Sequence, residues 1–195
     1  MKRLFDIFWA LIGILLVSPF FILFAILIFV GDGKSPFFKQ TRIGKDKREF
    51  SLIKFRSMRV GAEKSGQITV GGKDPRITRI GYFLRKYKLD ELPQFINILA
   101  GDMSFVGPRP EVPKYVALYN SEQQKVLSVR PGLTDLASLE FIDENILLGH
   151  AKDAEAAYIN EVLPKKLALQ LQYVETQSML GDVKLILRTL VKIVR

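Results

Sequence analysis

The sequence predicts an α+β chain, mostly helical. It comprises an N-terminal re-entrant membrane hairpin (helix, break, helix), a small globular domain with few strands, and amphipathic interfacial helices. Three observations predict this. Residues 4–30 form an apolar block interrupted by Asp6, Gly13, Ser18 and Pro19 and flanked by cations on both sides. Beyond it, residues 49–58 alternate as a strand does, whereas most other patterned stretches keep a helical period. Residues 182–195 separate apolar from cationic positions at helical spacing. The boundary falls after Gly33, giving 1–33 to the hairpin and 34–195 to the domain.

The chain has 195 residues, enough for one domain with a core. Lys and Arg number 29 against 20 Asp and Glu, a formal charge of +9, and 48% of residues are hydrophobic. A basic chain with one apolar block points to a membrane surface or to anionic ligands. No helix-turn-helix, zinc-finger or RRM pattern accompanies the charge, so nucleic acid is not an expected partner. The absence of cysteine excludes a disulfide framework and a thiolate metal site. A single histidine, His150, excludes a multi-histidine centre and reads as a surface or satisfied residue.

A straight helix over the apolar block is roughly 40 Å long, enough to cross a bilayer core of about 30 Å. Pro19 interrupts it by removing one backbone donor. The halves on either side of Ser18-Pro19 are roughly 21 Å and 16 Å, too short to cross. Lys2 and Arg3 before the block, and Lys34, Lys39, Arg42 and Lys45 after it, favour cytoplasmic placement of both ends. A hairpin entering one leaflet meets all three conditions, with the Ser18 hydroxyl partly satisfying the break. A kinked spanning helix also fits.

Residues 36–44 read as a turn-rich return to water. In the strand at 49–58, Lys54 and Arg56 project from one face, either solvated or near an anionic ligand. Residues 59–75 read as a glycine- and charge-rich loop. A helix is expected to start at Asp74 as cap and Pro75 as its first residue, with Arg76, Arg79, Arg85 and Lys88 on a cationic face. Residues 111–127 read as a helix with Tyr115, Leu118 and Tyr119 inside, and 129–134 as a turn. Residues 151–180 read as helices broken near Pro164. In the last segment Val183, Ile186, Leu187, Leu190, Val191 and Val194 share one face, and Lys184, Arg188, Lys192 and Arg195 another. That helix either packs on the core or lies in the membrane interface against anionic lipid.

The stretch at 85–110 carries the chemistry. Asp90 and Glu91 follow a run of cations, Pro93 opens a short helix, and Gly101 stops it. Both carboxylates therefore sit at the positive end of a helix. The Gly-Pro-Arg-Pro turn beyond it can return Arg109 toward that end. An Asp before a helix is most often only a cap. Here Arg85, Lys86, Lys88 and Arg109 accompany it, the inventory for phosphate chemistry on a carboxylate.

Leu89-Asp-Glu-Leu-Pro-Gln94, Asn97, Gly101-Asp-Met-Ser104 and Val106-Gly-Pro-Arg-Pro110 resemble the signature of the bacterial sugar transferases called monotopic phosphoglycosyl transferases. The resemblance extends to Lys54-Phe-Arg-Ser-Met58, Arg130-Pro-Gly-Leu-Thr134 and the apolar N-terminus. It implies transfer of a sugar-1-phosphate from a nucleotide diphosphate-sugar, with UDP as nucleotide, to polyprenyl (undecaprenyl) phosphate. The implied setting is the cytoplasmic face of a bacterial inner membrane, in glycoconjugate or exopolysaccharide assembly. It also implies a re-entrant helix broken at Ser18-Pro19. Asp90 is expected to attack phosphorus, to expel UMP, to hold the sugar phosphate covalently and to contact a divalent metal, Mg²⁺. Glu91 is expected to act as a metal ligand or as acid/base toward the acceptor. Arg85, Arg109, Lys54, Arg56 and Arg130 are the expected phosphate ligands, and Asp182 resembles a further acidic family position. Where the family often continues Gly-Trp-Ala-Gln, this chain has Asp135-Leu-Ala-Ser138, so sugar specificity does not carry over. The rival reading from another class is a membrane-anchored binding or scaffold protein using its basic face, which has no need of Asp90 and Glu91 together.

Overall fold

The computed structural model describes residues 1–62, 66, 68–69, 74–141 and 144–194. Much of the expected loop at 59–75, Lys73 and Arg195 lie outside the described residues, as does the side chain of Val194. In chain order the elements are α1 (Lys2–Asp32), β1 (Phe37–Ile43), β2 (Glu49–Phe55), α2 (Arg79–Lys86), α3 (Gln94–Ala100), β3 (Ser104–Val106), α4 (Pro113–Val116), β4 (Gly132–Thr134), α5 (Leu136–Glu140), α6 (Glu144–Gly149), α7 (Ala154–Ala157), α8 (Leu163–Thr176) and α9 (Met179–Val194). The α+β, mostly helical expectation holds.

In place of two helices around Ser18-Pro19, α1 is one helix of 31 residues with Pro19 inside it. Proline leaves the carbonyl four residues back without its amide partner. That carbonyl belongs to Leu15, and the Ser18 hydroxyl donates to it at 2.9 Å. One side of α1 packs on the domain: Ala10 meets Ile98 and Met103, and Phe24 and Ile28 meet Phe55 and Leu84. The other side leaves Phe8, Trp9, Leu15, Leu16, Phe20, Ile26 and Val30 exposed. By length and composition α1 could cross a membrane.

Both ends of α1 are tied to the domain. Lys2 pairs with Asp182, and the Arg3 guanidinium donates to the carbonyls of Ile98 and Leu99 in the last turn of α3, where carbonyls lose their regular i+4 amide partners and Ile98 O is otherwise reached by the Gly101 amide at 3.1 Å. Asp6 accepts from the Ser104 hydroxyl at 3.0 Å and the Phe105 amide at 3.2 Å. At the far end Asp32 accepts two bonds from Arg56.

Strands β1 and β2 form an antiparallel pair in the register Phe37↔Phe55 to Ile43↔Glu49. The expected turn at 36–44 is therefore a strand, because Phe37, Lys39, Thr41 and Ile43 alternate against β2. Asn97 of α3 joins this pair from the side: its Oδ1 accepts from the Ile53 amide at 3.0 Å and its Nδ2 donates to the Ser51 carbonyl at 2.8 Å. One side chain thus replaces a neighbouring strand and fixes α3, with the acidic pair just before it, against β2. Gly101 ends α3 at φ 96°, the left-handed stop that glycine favours.

Strands β3 and β4 pair in parallel. The segments meet at Gly107 and Gly132, where a Cβ on Gly132 would lie 2.1 Å from the Gly107 nitrogen. No side chain fits there. The close approach permits the bonds Gly107 N–H to Thr134 O (3.1 Å) and Gly132 N–H to Pro108 O (3.0 Å), which hold the turn that carries Arg109.

Other expectations shift. Helix α2 begins at Arg79 with Thr78 as its cap, accepting from the Gly81 amide; Asp74 instead accepts from the amide and guanidinium of Arg76 in a turn. The expected long helix at 111–127 reduces to α4 and a 3₁₀ segment at Gln123–Ser128, with Tyr115 and Tyr119 buried but Leu118 exposed. Near Pro164 the chain passes from α7 through a π-turn at Tyr158–Val162 into α8, with proline in the first turn. In α9 the face that packs inward is Asp182, Leu185, Ile186 and Thr189, while Val183, Leu187, Leu190 and Val191 are exposed. The apolar row foreseen from the sequence is thus mostly the outer surface of a helix that also packs on the core.

Candidate active site

The segment after α2 turns through Lys88, whose φ of 56° and ψ of 20° are left-handed, a conformation costing an L residue about 1–2 kcal/mol. This reversal feeds a single 3₁₀ turn, Leu89–Glu91, ahead of α3. Asp90 and Glu91 are both buried in it. They line a cavity of about 740 Å³ together with Lys54, Arg85, Lys88 and Arg109. The helix-start placement and the return of Arg109 are as the sequence predicts, although the carboxylates occupy the 3₁₀ turn before α3.

The two carboxylates differ sharply. Glu91 is held from two sides: Arg109 pairs with it through both terminal nitrogens, and the Lys54 ammonium donates to its Oε1 at 3.2 Å. Asp90 forms no hydrogen bond or ion pair among the described residues. Burial pushes the Asp90 carboxyl up, and the neighbouring Glu91 charge adds to that, with Lys54, Arg85 and Lys88 opposing. Burial also raises Glu91, but the charges of Arg109, Lys54 and Lys88 outweigh it and hold Glu91 well below the usual carboxylate range. Burial lowers the Lys54 ammonium, and Glu91 opposes that shift. Desolvation therefore wins at Asp90 and neighbouring positive charge wins at Glu91, leaving one committed anion beside one uncommitted carboxyl.

Arg85 reaches the cavity wall and donates to the Thr69 hydroxyl at 2.9 Å. Lys88 lines the same wall with no ion pair among the described residues. Among the described residues, these two cations line the cavity with Asp90 and form no ion pair with a carboxylate. Arg109 is fixed at its backbone as well: its amide donates to Asp135 at 3.0 Å. Asp135 is fully buried, caps α5 through the Ser138 amide at 2.6 Å, and accepts from Gln170 at 2.8 Å.

Two expected phosphate ligands stand elsewhere. Arg56 lies just past the end of β2, buried against Asp32 with a further bond to the Ser35 carbonyl at 2.7 Å. It secures the end of α1 and does not line the cavity, because the strand ends at Phe55 and the alternation it shared with Lys54 ends there too. Arg130 is exposed and donates to the Gly101 carbonyl at 2.9 Å, again away from the cavity lining. Asp182 is also remote from the acidic pair: it accepts from the Tyr173 hydroxyl at 2.8 Å and pairs with Lys2.

Sequence reasoning missed Arg42, Glu111 and Asp135. Arg42 lines the cavity and donates to Glu111 and to the Pro110 carbonyl at 2.8 and 2.9 Å. Glu111 also accepts from Tyr158, so this network braces the Arg109 turn from behind. Only the Asp-Leu-Ala-Ser cap pattern at 135–138 offered a local signal for Asp135; the other two are joined by strand pairing and a π-turn.

Mg²⁺ characteristically takes one or two protein carboxylates and completes its shell with substrate phosphates and water. Among the described residues no cluster of three or more acidic, histidine or cysteine side chains exists. Glu91 is already neutralised, which leaves Asp90 as the available ligand. The donor set thus fits an ion brought to the site largely by a diphosphate.

A model of the bacterial sugar transferase family matches residues 1–195. The galactosyl transferase CpsE of Streptococcus agalactiae serotype III (strain NEM316) is 38% identical over 200 residues, covering 97% of this chain and 41% of that protein. The UDP-N-acetylgalactosamine-undecaprenyl-phosphate N-acetylgalactosaminephosphotransferase of Aeromonas hydrophila is 36% identical over 192 residues, covering 97% and 42%. The exopolysaccharide production protein ExoY of Rhizobium meliloti (strain 1021) is 34% identical over 204 residues, covering 97% and 83%. The chain therefore spans about two fifths of the length of the first two relatives and most of the third. With a match along its whole length, the acidic pair and Arg109 assembled around one cavity, and Asn97 fixing α3 to β2 beside them, the chain belongs to the bacterial sugar transferase family.

Proposed function

We propose that the protein transfers a sugar-1-phosphate from a nucleotide diphosphate-sugar, with UDP as the nucleotide, to undecaprenyl phosphate. The single observation that carries this reading is the contrast within the acidic pair: a buried, uncommitted Asp90 faces Arg85 and Lys88 beside a fully paired Glu91. The Aeromonas relative, whose name contains UDP-N-acetylgalactosamine and undecaprenyl phosphate, supports the substrate classes.

In this reading Arg85 and Lys88 bind the donor diphosphate. An ionised Asp90 oxygen attacks the phosphorus that bears the sugar. The bond from that phosphorus to the bridging oxygen breaks, and the nucleoside monophosphate leaves with the electron pair. An acceptor phosphate oxygen then attacks the same phosphorus, the Asp90–phosphorus bond breaks, and Asp90 returns as carboxylate. A covalent intermediate divides one difficult transfer into two. Glu91 orients Arg109 and Lys54; Arg109 retains further N–H donors for a phosphate. Asp90 and the diphosphate would hold Mg²⁺, which supplies charge neutralisation.

The apolar outer side of α1 is read as membrane-embedded. Attachment of both its ends to one domain supports entry and exit on the same face, with Ser18-Pro19 as the point at which a re-entrant helix would bend. The flanking cations support placing both ends on the cytoplasmic face of the membrane. The test mixes protein, UDP-sugar and Mg²⁺ without acceptor. One sugar-phosphate should be gained in mass, mapping to Asp90, with release of one UMP. An adduct on another residue, or full turnover in Asp90→Asn, overturns the mechanism. A screen of UDP-sugars in the same assay identifies the sugar.

A further inference from the structure

The cavity that holds Asp90 has an apolar stretch of lining, its apolar arm, made of Phe105 and Leu133 from β3 and β4, Leu139 from α5, and Ile186, Leu190 and Ile193 from α9. On the arm's lining the Thr134 and Thr189 hydroxyls bond each other at 2.7 Å, and Thr189 also donates to the Leu185 carbonyl at 2.8 Å. These two hydroxyls are therefore partnered within the wall, beside the apolar side chains.

Leu190 shows where the arm leads. It lines the cavity and is also 56% exposed. It belongs to the outer row of α9 with Val183, Leu187 and Val191, all exposed. Lys184 and Arg188, also exposed, flank this row. The same region meets the start of α1: Lys2 is paired to Asp182 of α9, and Asp6 is bonded beside Phe105. The arm's lining thus joins the cations around Asp90 to the exposed apolar row of α9, a helix whose first turn is tied to the start of α1.

We propose that this arm between β3–β4 and α9 is the entry and binding groove for the acceptor's isoprenoid chain. The lipid phosphate lies toward Asp90, the first isoprene units lie along Leu133, Leu139, Ile186 and Ile193, and Leu190 forms the rim toward the bilayer. The occupant is a polyprenyl phosphate: a long apolar chain fits the arm, and an anionic head fits the cation-lined end. This assignment rests on the proposed transfer reaction for its substrate class, but acceptor binding does not require the covalent step.

The probe is a polyprenyl phosphate with a diazirine in the isoprene unit next to the phosphate, presented in detergent micelles to the full chain. Photolysis should label Leu133, Leu139 or residues 186–193, and unmodified undecaprenyl phosphate should compete, whereas the uncharged polyprenol should compete poorly. Asp90→Asn should still be labelled, so loss of the covalent mechanism would not imitate loss of this groove. Leu190→Asp should reduce labelling roughly tenfold, equivalent to about 1.4 kcal/mol, and Leu190→Met should retain it. Circular dichroism of Leu190→Asp checks that the fold persists. Label confined to α1, equal competition by the neutral polyprenol, or undiminished labelling of folded Leu190→Asp would overturn the groove.

Discussion

Two regions of this molecule bury charge, and they do so in opposite ways. Around α1, the ionic groups are matched: Lys2 with Asp182 and Tyr173, Asp6 with Ser104 and the Phe105 amide, Asp32 with Arg56. Around Asp90, Glu91 is overmatched by Arg109 and Lys54 while Asp90 has no such partner among the described residues. Burying an unpaired charge is costly, so the first region spends its charges on holding the helix. The second maintains an unfavourable arrangement, which the proposed reaction at Asp90 would use. Satisfied pairs mark attachment here, and the carboxyl without such a pair is the one proposed to react.

The sharpest way to break this comparison is Asp90→Asn. The covalent adduct should vanish, while thermal stability should stay level or rise. The sign follows from the raised Asp90 pKa: that carboxyl favours the folded state only when protonated, so its ionised form weakens folding at neutral pH. A loss of stability in Asp90→Asn would show that Asp90 belongs with the matched charges.

Glu91→Gln should do the reverse to stability. It leaves Lys54 and Arg109 without their anion. The expected loss is about 2 kcal/mol, below the roughly 3–5 kcal/mol of a fully buried pair, because the Arg109 side chain is 30% exposed and solvent screens it. Chemical denaturation measures it. The pH dependence sharpens the point: a depressed carboxyl contributes stability above its unfolded pKa, near 4.5, and loses it as pH falls toward the folded value. The wild type should therefore lose stability on acidification below about 4.5, and Glu91→Gln should lose less.

In the attachment region, Asp182→Asn should lower the melting temperature and free the start of α1, seen as faster proteolysis near residue 2, without abolishing the Asp90 adduct. Cysteines placed at residues 2 and 34 of this cysteine-free chain should react from one side of a sealed vesicle; labelling from opposite sides would make α1 a spanning helix. The smallest effect is expected for Ser18→Ala, which removes one hydrogen bond worth about 0.5–1.5 kcal/mol and leaves Leu15 O to find another donor. It reads out as a small drop in denaturation midpoint.

By itself the sequence determined the features that depend on neighbours along the chain. Pro19 and Ser18 act within one turn of α1, Gly101 stops α3 through its own φ, and the cations preceding Asp90 follow from a few consecutive residues. The motif also marked Asn97 and Arg109, although not what each one touches. Tertiary structure alone decided which charges were free. Lys54 and Arg56 stand two residues apart, yet Lys54 lines the cavity and Arg56 closes on Asp32, because β2 ends between them. Asp90 and Glu91 are adjacent, yet only Glu91 meets Arg109 and Lys54, brought from 18 and 37 residues away. Outward and inward faces of α9 were likewise set by what packs against it: Asp182 turns in because Lys2 and Tyr173 receive it, and Leu190 turns out. Periodicity reports that a helix has faces, but only the surrounding packing fixes which face is buried and which side chains find partners.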